Sequence, residues 1–592
     1  MPENRMPLEE VGKLLNSLSD GPNNAPTLLV GSGISIWEPS DLASGQDFTS
    51  AAFSVLFADI SSLSVPERIL LEKVFGKRWS SRFSGMPFEH LMECCPSEEK
   101  ANALINHLYY SRRPNSIHLV LAKGMREGKI GSIITTNYDC CMDEALDREM
   151  VRFTKVVTSD QARDALKLQD VPCYFKIHGS VEEGMESTPM FSLKHERLLH
   201  RDKRDLFSHL VTGKTLLVIG YSGLDFELCP EIERLNIKQF IWNNRNNEYP
   251  SVSAARLLRE KDGTLLYGDM RTLITNWLGM DGVPEMTSEK TTQVEKIIRQ
   301  VFTDDEISLW RIRVLNSLGM PSYALKALRA TRHSVDPFFI DVHYGRAHFH
   351  AGRYKTARRW FRRAFWHQLF RGKKQAAADA ALESSDAYRS YGAPVRAYLC
   401  TFLVDLFKVK PLRAKKLLKQ ALIVKDVMTI VGALNKSHKM VIALLENLLR
   451  RKLVECATEA LETGNWIDFQ QVALVSEEMG IELPEMASAD YYLPPKAAEG
   501  YRHLGYYIPQ TMVFAADCLR DRSRLRISVE AQREWRHHVK ICGRLGINSS
   551  LWKILALGSN EKTRNAARQY FKLCEYGFFK GFFDWKKYST QK

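Results

Sequence analysis

The sequence predicts an α/β domain with a doubly wound parallel sheet, followed by an all-α region. Short, almost continuously apolar runs alternate with helical stretches over the first 280 residues. Such runs are typical of parallel strands that are buried on both faces, and their alternation with helices favours an open sheet covered on both sides. From about residue 293 onward, the patterns are helical almost throughout.

Six strands are predicted in the first 280 residues, at 27–31, 131–136, 171–177, 214–220, 237–242 and 263–267. Helical patterns lie between them, for example at 140–149 and 161–168. The stretch from about 49 to 113 carries no strand signal, and we expect a helical insertion there.

A polar segment at 281–292 breaks this pattern and predicts a linker after a first domain at 1–280. Residues 293–480 are predicted to form a helical-repeat region. Gly345 is followed by Ala357, Phe361 and Ala364 at the spacing of a tetratricopeptide repeat, with weaker copies near Ala324 and Ala397. A proline-containing break at 484–495 marks the start of a predicted C-terminal helical subdomain, whose bounds we place at 481–592.

Composition limits the class of protein. The 592 residues are 45% hydrophobic and 26% charged, which is ordinary for globular domains. No apolar run reaches the ~18–20 residues that span a bilayer, and the first residues lack the apolar core of a signal peptide, so we expect a cytoplasmic protein. The 11 cysteines include no Cys-x-x-Cys spacing, which argues against a disulfide framework and a zinc module.

Net charge is unevenly distributed. Residues 1–280 contain 32 basic and 37 acidic side chains, for a net charge of −5, and the remainder contains 51 and 32, for +19. A basic C-terminal half predicts an acidic partner, either a protein or a nucleic acid.

A glycine-rich loop follows the first predicted strand, with Gly31, Gly33 and Ser35 in the order Gly-Ser-Gly-Ile-Ser. Glycines there permit a tight turn and let backbone N–H groups approach a pyrophosphate. We expect Ser35 to open the next helix as a cap or to contact a ribose. An ordinary strand–turn–helix connection explains the loop equally well.

Polar residues end two further strands. Thr136, Asn137 and Asp139 close the second predicted strand, and His178 follows the third. Asp139 also fits the N-cap of the helix that follows it, whereas no such structural role explains Asn137. A histidine titrates near neutrality and can take a proton from water or a ribose hydroxyl, although a lone strand-end histidine is often structural. His118 follows a predicted helix start, and we assign it a structural role.

The later strands end in similar residues. Gly220, Ser222 and Asp225 follow the strand at 214–220, and Asn243 follows the next one. The serine and the aspartate can bond ribose hydroxyls, and Asn243 can bound an adenosine. An ordinary βα loop with an aspartate cap is the alternative for Asp225.

Taken in order, these four motifs resemble the nucleotide-binding and catalytic motifs of sirtuins over about residues 20–280. Details favour the bacterial sirtuin-like branch of anti-phage defence proteins. The resemblance implies that NAD is the substrate, that it is cleaved to ADP-ribose and nicotinamide without a metal, and that Asn137 and His178 are catalytic. The NAD-binding residues that it implies are Gly31, Gly33, Ser35, Thr136, Asp139, Gly220, Ser222, Asp225 and Asn243.

The resemblance further implies an abortive-infection effector in which a phage component triggers NAD depletion. We expect residues 293–592 to bind this trigger, a phage-derived protein or another acidic partner, because the C-terminal half carries the excess positive charge. A homo-oligomer is expected. Protein deacetylation and ADP-ribosyl transfer stay open, although protein deacetylases of this family usually carry four zinc-binding cysteines. A nucleic-acid-binding scaffold that holds NAD structurally is a third alternative.

Two C-terminal segments bear on the partner. Residues 354–366 mix arginines with aromatics, which fits nucleic-acid binding or a repeat core with a solvated basic face. We favour the repeat core. The strongly apolar segment 576–585 is expected to dock onto the helical region or a second subunit.

Overall fold

The computed structural model describes residues 5–7, 25–58, 88–168, 171–184, 189–191, 201–223, 228–244, 252–280, 285, 290–317, 321–331, 336–350, 353–390, 393–434, 439–462, 472 and 476. The described residues up to Thr303 form one compact unit, and those from Asp304 onward form a second.

The first unit is built on one sheet of eight strands, all of them parallel to their neighbours. The strand order is β1-β8-β7-β6-β2-β3-β5-β4. The strands are β1 (Arg5–Pro7), β2 (Thr27–Val30), β3 (Ser132–Thr135), β4 (Thr154–Val156), β5 (Cys173–Lys176), β6 (Thr215–Ile219), β7 (Gln239–Asn244) and β8 (Thr264–Tyr267).

Eleven α-helices are described in the first unit. They are α1 (Gly45–Leu56), α2 (Phe88–Glu93), α3 (Glu98–Tyr109), α4 (Ser116–Arg126), α5 (Cys141–Arg148), α6 (Ser159–Ala165), α7 (Arg201–Val211), α8 (Leu228–Arg234), α9 (Val252–Glu260), α10 (Met270–Leu278) and α11 (Lys290–Val301). A short 3-10 helix, Ser32–Ile34, follows β2.

Local sequence sets several helix starts. Helix α1 begins after Ser44, which exchanges capping hydrogen bonds with Asp47, and α6 begins after Thr158, which does so with Gln161. Asn115 caps α4 by accepting from the backbone N–H groups of Ile117 and His118. Each cap provides acceptors for N–H groups that the helix itself leaves unbonded. The sequence therefore determines where these helices begin.

Two apolar layers enclose the sheet. Alternate residues of β2 point to opposite faces: Leu28 and Val30 join the core packed under α4 and α10, whereas Leu29 joins the core under α7 and α9. All of these strand side chains are fully buried. The predicted α/β architecture is therefore confirmed, with helices on both sides of a parallel sheet.

The six predicted strands are all present, with slightly different ends, and two further strands were not predicted. Both are only three residues long: β1 contains a proline, and β4 reads Thr-Lys-Val with two half-buried side chains. They lie at the two edges of the sheet, where burial is incomplete and the apolar signal is weak. The predicted helical stretch at 49–113 contains α1, α2 and α3 among its described residues.

The second unit is helical throughout its described residues. Its helices are α12 (Asp304–Ser317), α13 (Pro321–Ala330), α14 (Pro337–His350), α15 (Tyr354–Phe370), α16 (Lys374–Ser390), α17 (Pro394–Leu406), α18 (Arg413–Leu434) and α19 (Lys439–Glu462), with a 3-10 turn at Lys410–Leu412. Consecutive helices from α12 to α19 pack against each other.

The residues that suggested a repeat are packing positions. Ala324, Ala357, Ala364 and Ala397 are fully buried. A Cβ atom on Gly345 of α14 would lie 2.4 Å from the ring of Phe361 on α15, so this glycine lets the two helices approach. The assignment to tetratricopeptide repeats stays a prediction.

Several predictions concern other parts of the chain. The subdomain at 481–592 and the apolar segment 576–585 lie outside the described residues. Helix α11, whose first residues fall in the predicted linker at 281–292, belongs to the first unit. Among the described helices, none combines the length and the apolarity that a membrane span requires.

Candidate functional site

The four sequence motifs begin at one row of the sheet. Val30 of β2 pairs with Thr135 of β3 on one side and with Ile219 of β6 on the other, and Thr135 pairs with Lys176 of β5. Gly31, Thr136 and Gly220 directly follow this row, and His178 lies two residues beyond it, all at the carboxyl ends of the strands. The strand order reverses between β2 and β6, which is where open parallel sheets bind their ligands.

The two glycine loops touch through their backbones. A Cβ atom on Gly31 would lie 2.6 Å from the carbonyl oxygen of Gly220, and one on Gly33 would lie 2.7 Å from the Gly220 Cα. Gly220 itself has a φ of +64°, in the left-handed region that favours glycine. These three positions need glycine because the β2 and β6 loops close against each other.

The same contact corrects our expectation for the glycine N–H groups. Gly31 N donates to Ile219 O at 3.1 Å, and Gly33 N donates to Gly220 O at 2.9 Å. These donors face the neighbouring loop rather than a pyrophosphate. Ser35 does not open a helix either, because it ends the 3-10 turn, and the next α-helix is capped by Ser44.

The Ser35 hydroxyl is instead the centre of a buried hydrogen-bond network. Its Oγ lies 3.1 Å from His118 Nε2, 3.0 Å from Asp139 Oδ2 and 3.2 Å from Asn137 Nδ2. All four residues are buried. The network joins the glycine loop, α4 and the end of β3.

The roles of the atoms follow from His118. Its Nδ1 accepts from the backbone N–H of Asn115, so the proton of the neutral ring is on Nε2, which donates to Ser35 Oγ. Burial lowers the pKa of His118 to about 4, against the opposing effect of the Asp139 charge, so the ring is neutral near pH 7. Ser35 then donates its own proton to Asp139 Oδ2.

This order also decides how the Asn137 amide is turned. Ser35 Oγ gives its only proton to Asp139, so it can meet Asn137 only as an acceptor, and Asn137 must present its Nδ2. The Oδ1 atom of Asn137 is buried and accepts no hydrogen bond from the described part of the chain. A buried amide oxygen without a donor is costly, and at this sheet edge it points to a ligand that donates.

His178 reaches the same edge from β5. Because Thr135 pairs with Lys176, Asn137 and His178 each lie two residues beyond one register pair on adjacent strands. His178 is buried, and its carbonyl oxygen accepts from Met190 N at 2.8 Å. The sequence-predicted pair therefore shares one end of two neighbouring strands.

A buried lysine of β5 bonds the backbone next to Asn137. Lys176 is fully buried, and its Nζ donates to Tyr138 O at 3.3 Å, to Asp139 O at 2.7 Å and to Asp143 Oδ2 at 3.2 Å. Burial alone would raise the pKa of Asp143, but the ammonium groups of Lys176 and Lys155 lower it below its ordinary value. The carboxylate is therefore charged, and the lysine ties the backbone after Asn137 to β5.

Although the N-cap residue itself is Cys140, Asp139 bonds an N–H group of the first turn of α5, as the sequence predicts. Its Oδ1 accepts from Cys141 N at 2.9 Å at the start of α5, while its Oδ2 accepts from Ser35. Both carboxylate oxygens of Asp139 thus accept hydrogen bonds from the protein, and Asp139 orders the network around Asn137.

The side-chain atoms of His118, Asp139 and Cys141 that could ligate a metal lie within 4.8 Å of one another, as they would in a metal site. Their chemistry does not fit one. Both nitrogens of His118 have hydrogen-bond partners, and burial raises the pKa of the Cys141 thiol far above its ordinary value, which opposes the thiolate that a metal needs. The Cys141 thiol donates to Ser111 O.

The remaining predicted residues occupy less distinctive positions. Thr136 N donates to Val30 O, and its side chain is half-buried. Ser222 is exposed on the loop after β6. Asn243 is buried within β7 and donates to Gly268 O at 3.2 Å, so its amide joins β7 to the end of β8. Asp225 lies outside the described residues.

Sequence reasoning missed two contributors. His118 lies in the first turn of α4, as expected, but its side chain also completes the capping box and holds Ser35. The sequence predicts Lys176 only as part of a strand. A signal existed for both: Asn115 and His118 have the spacing of a capping box, and a lysine in an otherwise apolar buried strand requires partners.

Comparison with known proteins agrees with this geometry. No curated protein matches the chain. Residues 131–237, which include Asn137, Asp139 and His178, match the family model described as a SIR2-like domain. The match supports a sirtuin-like first unit with NAD-related activity.

Proposed function

We propose that the chain is an NAD hydrolase that releases nicotinamide and ADP-ribose. The bond between the nicotinamide nitrogen and ribose C1′ breaks, and its electron pair stays on nicotinamide, which leaves as a neutral molecule. The oxygen of water bonds to C1′, and the proton of that water passes to a base. The chain's task is to position water and ribose and to accept the proton.

The observation that carries this proposal is the free acceptor on Asn137. Its Oδ1 is buried at the carboxyl edge of the sheet and is held in place by the Ser35 network. An ordered acceptor suits a ribose hydroxyl or the attacking water, because either can donate to it. His178, on the adjacent strand end, acts as the general base in this scheme.

The test is nicotinamide release from NAD by the purified full-length protein. We expect His178→Ala to lower turnover by about 10²–10⁴-fold, the usual loss for a general base. Asn137→Ala should lower it by about 10²–10³-fold, the usual cost of one positioned polar group. His209→Ala, which removes an exposed histidine on α7, is the matched control and should retain turnover. Wild-type rates in the first two variants, with unchanged melting, would refute both assignments.

The competing reactions differ in their acceptor for ADP-ribose. Water gives free ADP-ribose, an acetyl-lysine peptide gives the deacetylated peptide, and ADP-ribosyl transfer labels a protein. The absence of Cys-x-x-Cys spacing disfavours a zinc-containing deacetylase. Chromatography of the products with and without an acetylated peptide distinguishes the three outcomes.

The biological role within this proposal is defence against phage in the cytoplasm, by a homo-oligomer whose NAD hydrolysis is triggered through the helical unit. The basic C-terminal half supports an acidic trigger. We expect NAD to fall after phage infection in cells that carry the full chain. Cells that carry only residues 1–303 should keep their NAD, and equal depletion in both would contradict control by the helical unit.

A further inference from the structure

Helix α17 exposes a second apolar side. Val395, Leu399, Phe402 and Leu406 follow one another at steps of four, three and four residues, and between 49% and 73% of each side chain is exposed. This spacing places them on one side of the helix, along about 16 Å at 1.5 Å per residue. The other side of α17 is already buried in the core of the unit, so the exposed side is not needed for packing that the structure describes.

Helix α15 extends this surface with two aromatic rings. Trp366 and Phe370 are 47% and 82% exposed, and their ring centroids lie 5.7 Å apart in a stacked arrangement. The neighbouring ring of Phe365 stacks on Phe407, with centroids 6.3 Å apart, which places the end of α15 beside the end of α17. We call the six residues Trp366, Phe370, Val395, Leu399, Phe402 and Leu406 the α15/α17 face.

Two exposed cations border the α15/α17 face. Arg359 and Arg362 lie two turns and one turn before Trp366, respectively, on the same side of α15, and both are exposed. Neither forms an ion pair with any residue in the part of the chain that the structure describes. Arg363, by contrast, pairs with Asp341 at 3.0 Å. The one acidic side chain on α17, Asp405, pairs with Lys416 at 2.8 Å.

We propose that the α15/α17 face binds an amphipathic helix of another protein, apolar on one side and rich in carboxylates along its flank. The apolar side would cover Leu399 and Phe402, and the carboxylates would meet Arg359 and Arg362. Nucleic acid fits less well, because aliphatic side chains such as Leu399 neither stack on bases nor bond phosphates. This inference gives the acidic trigger of the proposed function a docking site, and it rests on that function only for its regulatory consequence.

The experiment measures binding of a fluorescent 18-residue helical peptide, with leucines along one face and glutamates on its flanks, to the full-length protein. We expect Leu399→Glu to weaken binding at least tenfold, and the double variant Arg359→Glu/Arg362→Glu to do the same and to reduce the salt dependence. Arg450→Glu removes an exposed arginine of α19 outside the face and should leave binding unchanged. Circular dichroism confirms that each variant is folded.

Several outcomes would overturn the proposal. Equal affinity in wild type and both face variants excludes the surface. A labelled single-stranded oligonucleotide that binds more tightly than the peptide, and is lost in the same variants, assigns the face to nucleic acid. A wild-type dimer that Leu399→Glu dissociates in sedimentation velocity assigns it to a second copy of the chain. Nicotinamide release is not measured, so failure of this test and failure of the proposed hydrolysis remain distinguishable.

Discussion

Ser35 has one hydroxyl proton and two lone pairs, and the folded chain uses all of them. The proton goes to Asp139, and the lone pairs meet His118 and Asn137. One small side chain therefore fixes the orientation of an amide whose two ends would otherwise be interchangeable. If Ser35 Oγ did not accept from Asn137, the Asn137 amide could flip and turn its oxygen away from the sheet edge.

The buried His118 makes stability depend on pH. Burial lowers its folded pKa to about 4, below the ordinary 6.5, so between these pH values the unfolded chain binds a proton that the folded chain does not bind. Between these two values the free energy of unfolding should fall as the pH falls, by about 3 kcal/mol in total, and above pH 6.5 this histidine should have no effect.

Urea unfolding of the wild type and of His118→Gln, measured from pH 7.5 to 4.5, tests this expectation. The variant loses the proton-binding difference, so its stability should decline less steeply over that interval. Parallel declines in the two proteins would show that His118 does not titrate as its burial implies.

The positions of the site residues could be predicted from the sequence, but their hydrogen bonds could not. Apolar strand runs that end in polar residues locate Asn137 and His178 because parallel strands share one carboxyl edge. The closure of Gly31 against Gly220 depends on two loops almost 190 residues apart in the sequence. No local pattern reports such a contact, so the N–H groups of the glycines were assigned to a phosphate when they bond the neighbouring loop.

At the scale of single elements, β5 is constrained by a buried charge within an apolar strand. Its Lys176 brings a charge into the interior, where it neutralises Asp143 and satisfies two carbonyl oxygens. The strand was predicted from its apolar character, and the charge within it was overlooked. Strands β1 and β4 escaped prediction for the opposite reason, since three residues at a sheet edge contain too little pattern.

Lys176→Met should destabilise the first unit by about 3–5 kcal/mol, the usual cost of removing one partner of a buried pair. Two backbone oxygens would lose this donor, and Asp143 would keep only Lys155 and the Tyr174 hydroxyl as partners. A second substitution, Asp143→Leu, should recover part of the loss because it removes a buried carboxylate that has lost one of its two ammonium partners. Thermal melting of the single and double variants measures both effects, and an additive loss in the double variant would contradict this account.

Helices α14 and α15 offer a second test. Alanine normally stabilises a helix by about 1 kcal/mol relative to glycine. Gly345→Ala should instead destabilise the second unit by about 1–3 kcal/mol, because its methyl group would meet the Phe361 ring. Gly45→Ala in α1 is the control, since the nearest atom to its added Cβ is 4.0 Å away. A rise in melting temperature for Gly345→Ala would show that the helices adjust at no cost.

At the scale of the whole molecule, the first unit ends later than the sequence predicts from its polar segment. Lys290 of α11 donates to the carbonyl oxygens of Ile36 and Leu42, and its Nζ lies 3.0 Å from Asp41 Oδ1. The chain therefore anchors the segment after the glycine loop with a residue from beyond position 280.

A fragment of residues 1–303 should consequently be more stable than one of residues 1–280. The shorter fragment leaves two carbonyl oxygens and the Asp41 carboxylate without their buried ammonium partner, which we expect to cost about 2–4 kcal/mol. Melting temperature and solubility of the two fragments provide the comparison. Indistinguishable melting would mean that α11 contributes nothing to the first unit.

The parallel sheet also sets the order in which a newly made chain becomes capable of chemistry. Strand β2 leaves the ribosome early but must wait for β6, and at about 5–20 residues per second the interval is roughly 10–40 s. The first unit is complete once the chain up to residue 303 has emerged, while the remainder of residues 304–592 is still being synthesised. A chain that hydrolysed NAD as soon as this unit folded would harm its host at every round of translation. Assembly order thus favours a helical unit that is required for turnover over one that merely restrains it.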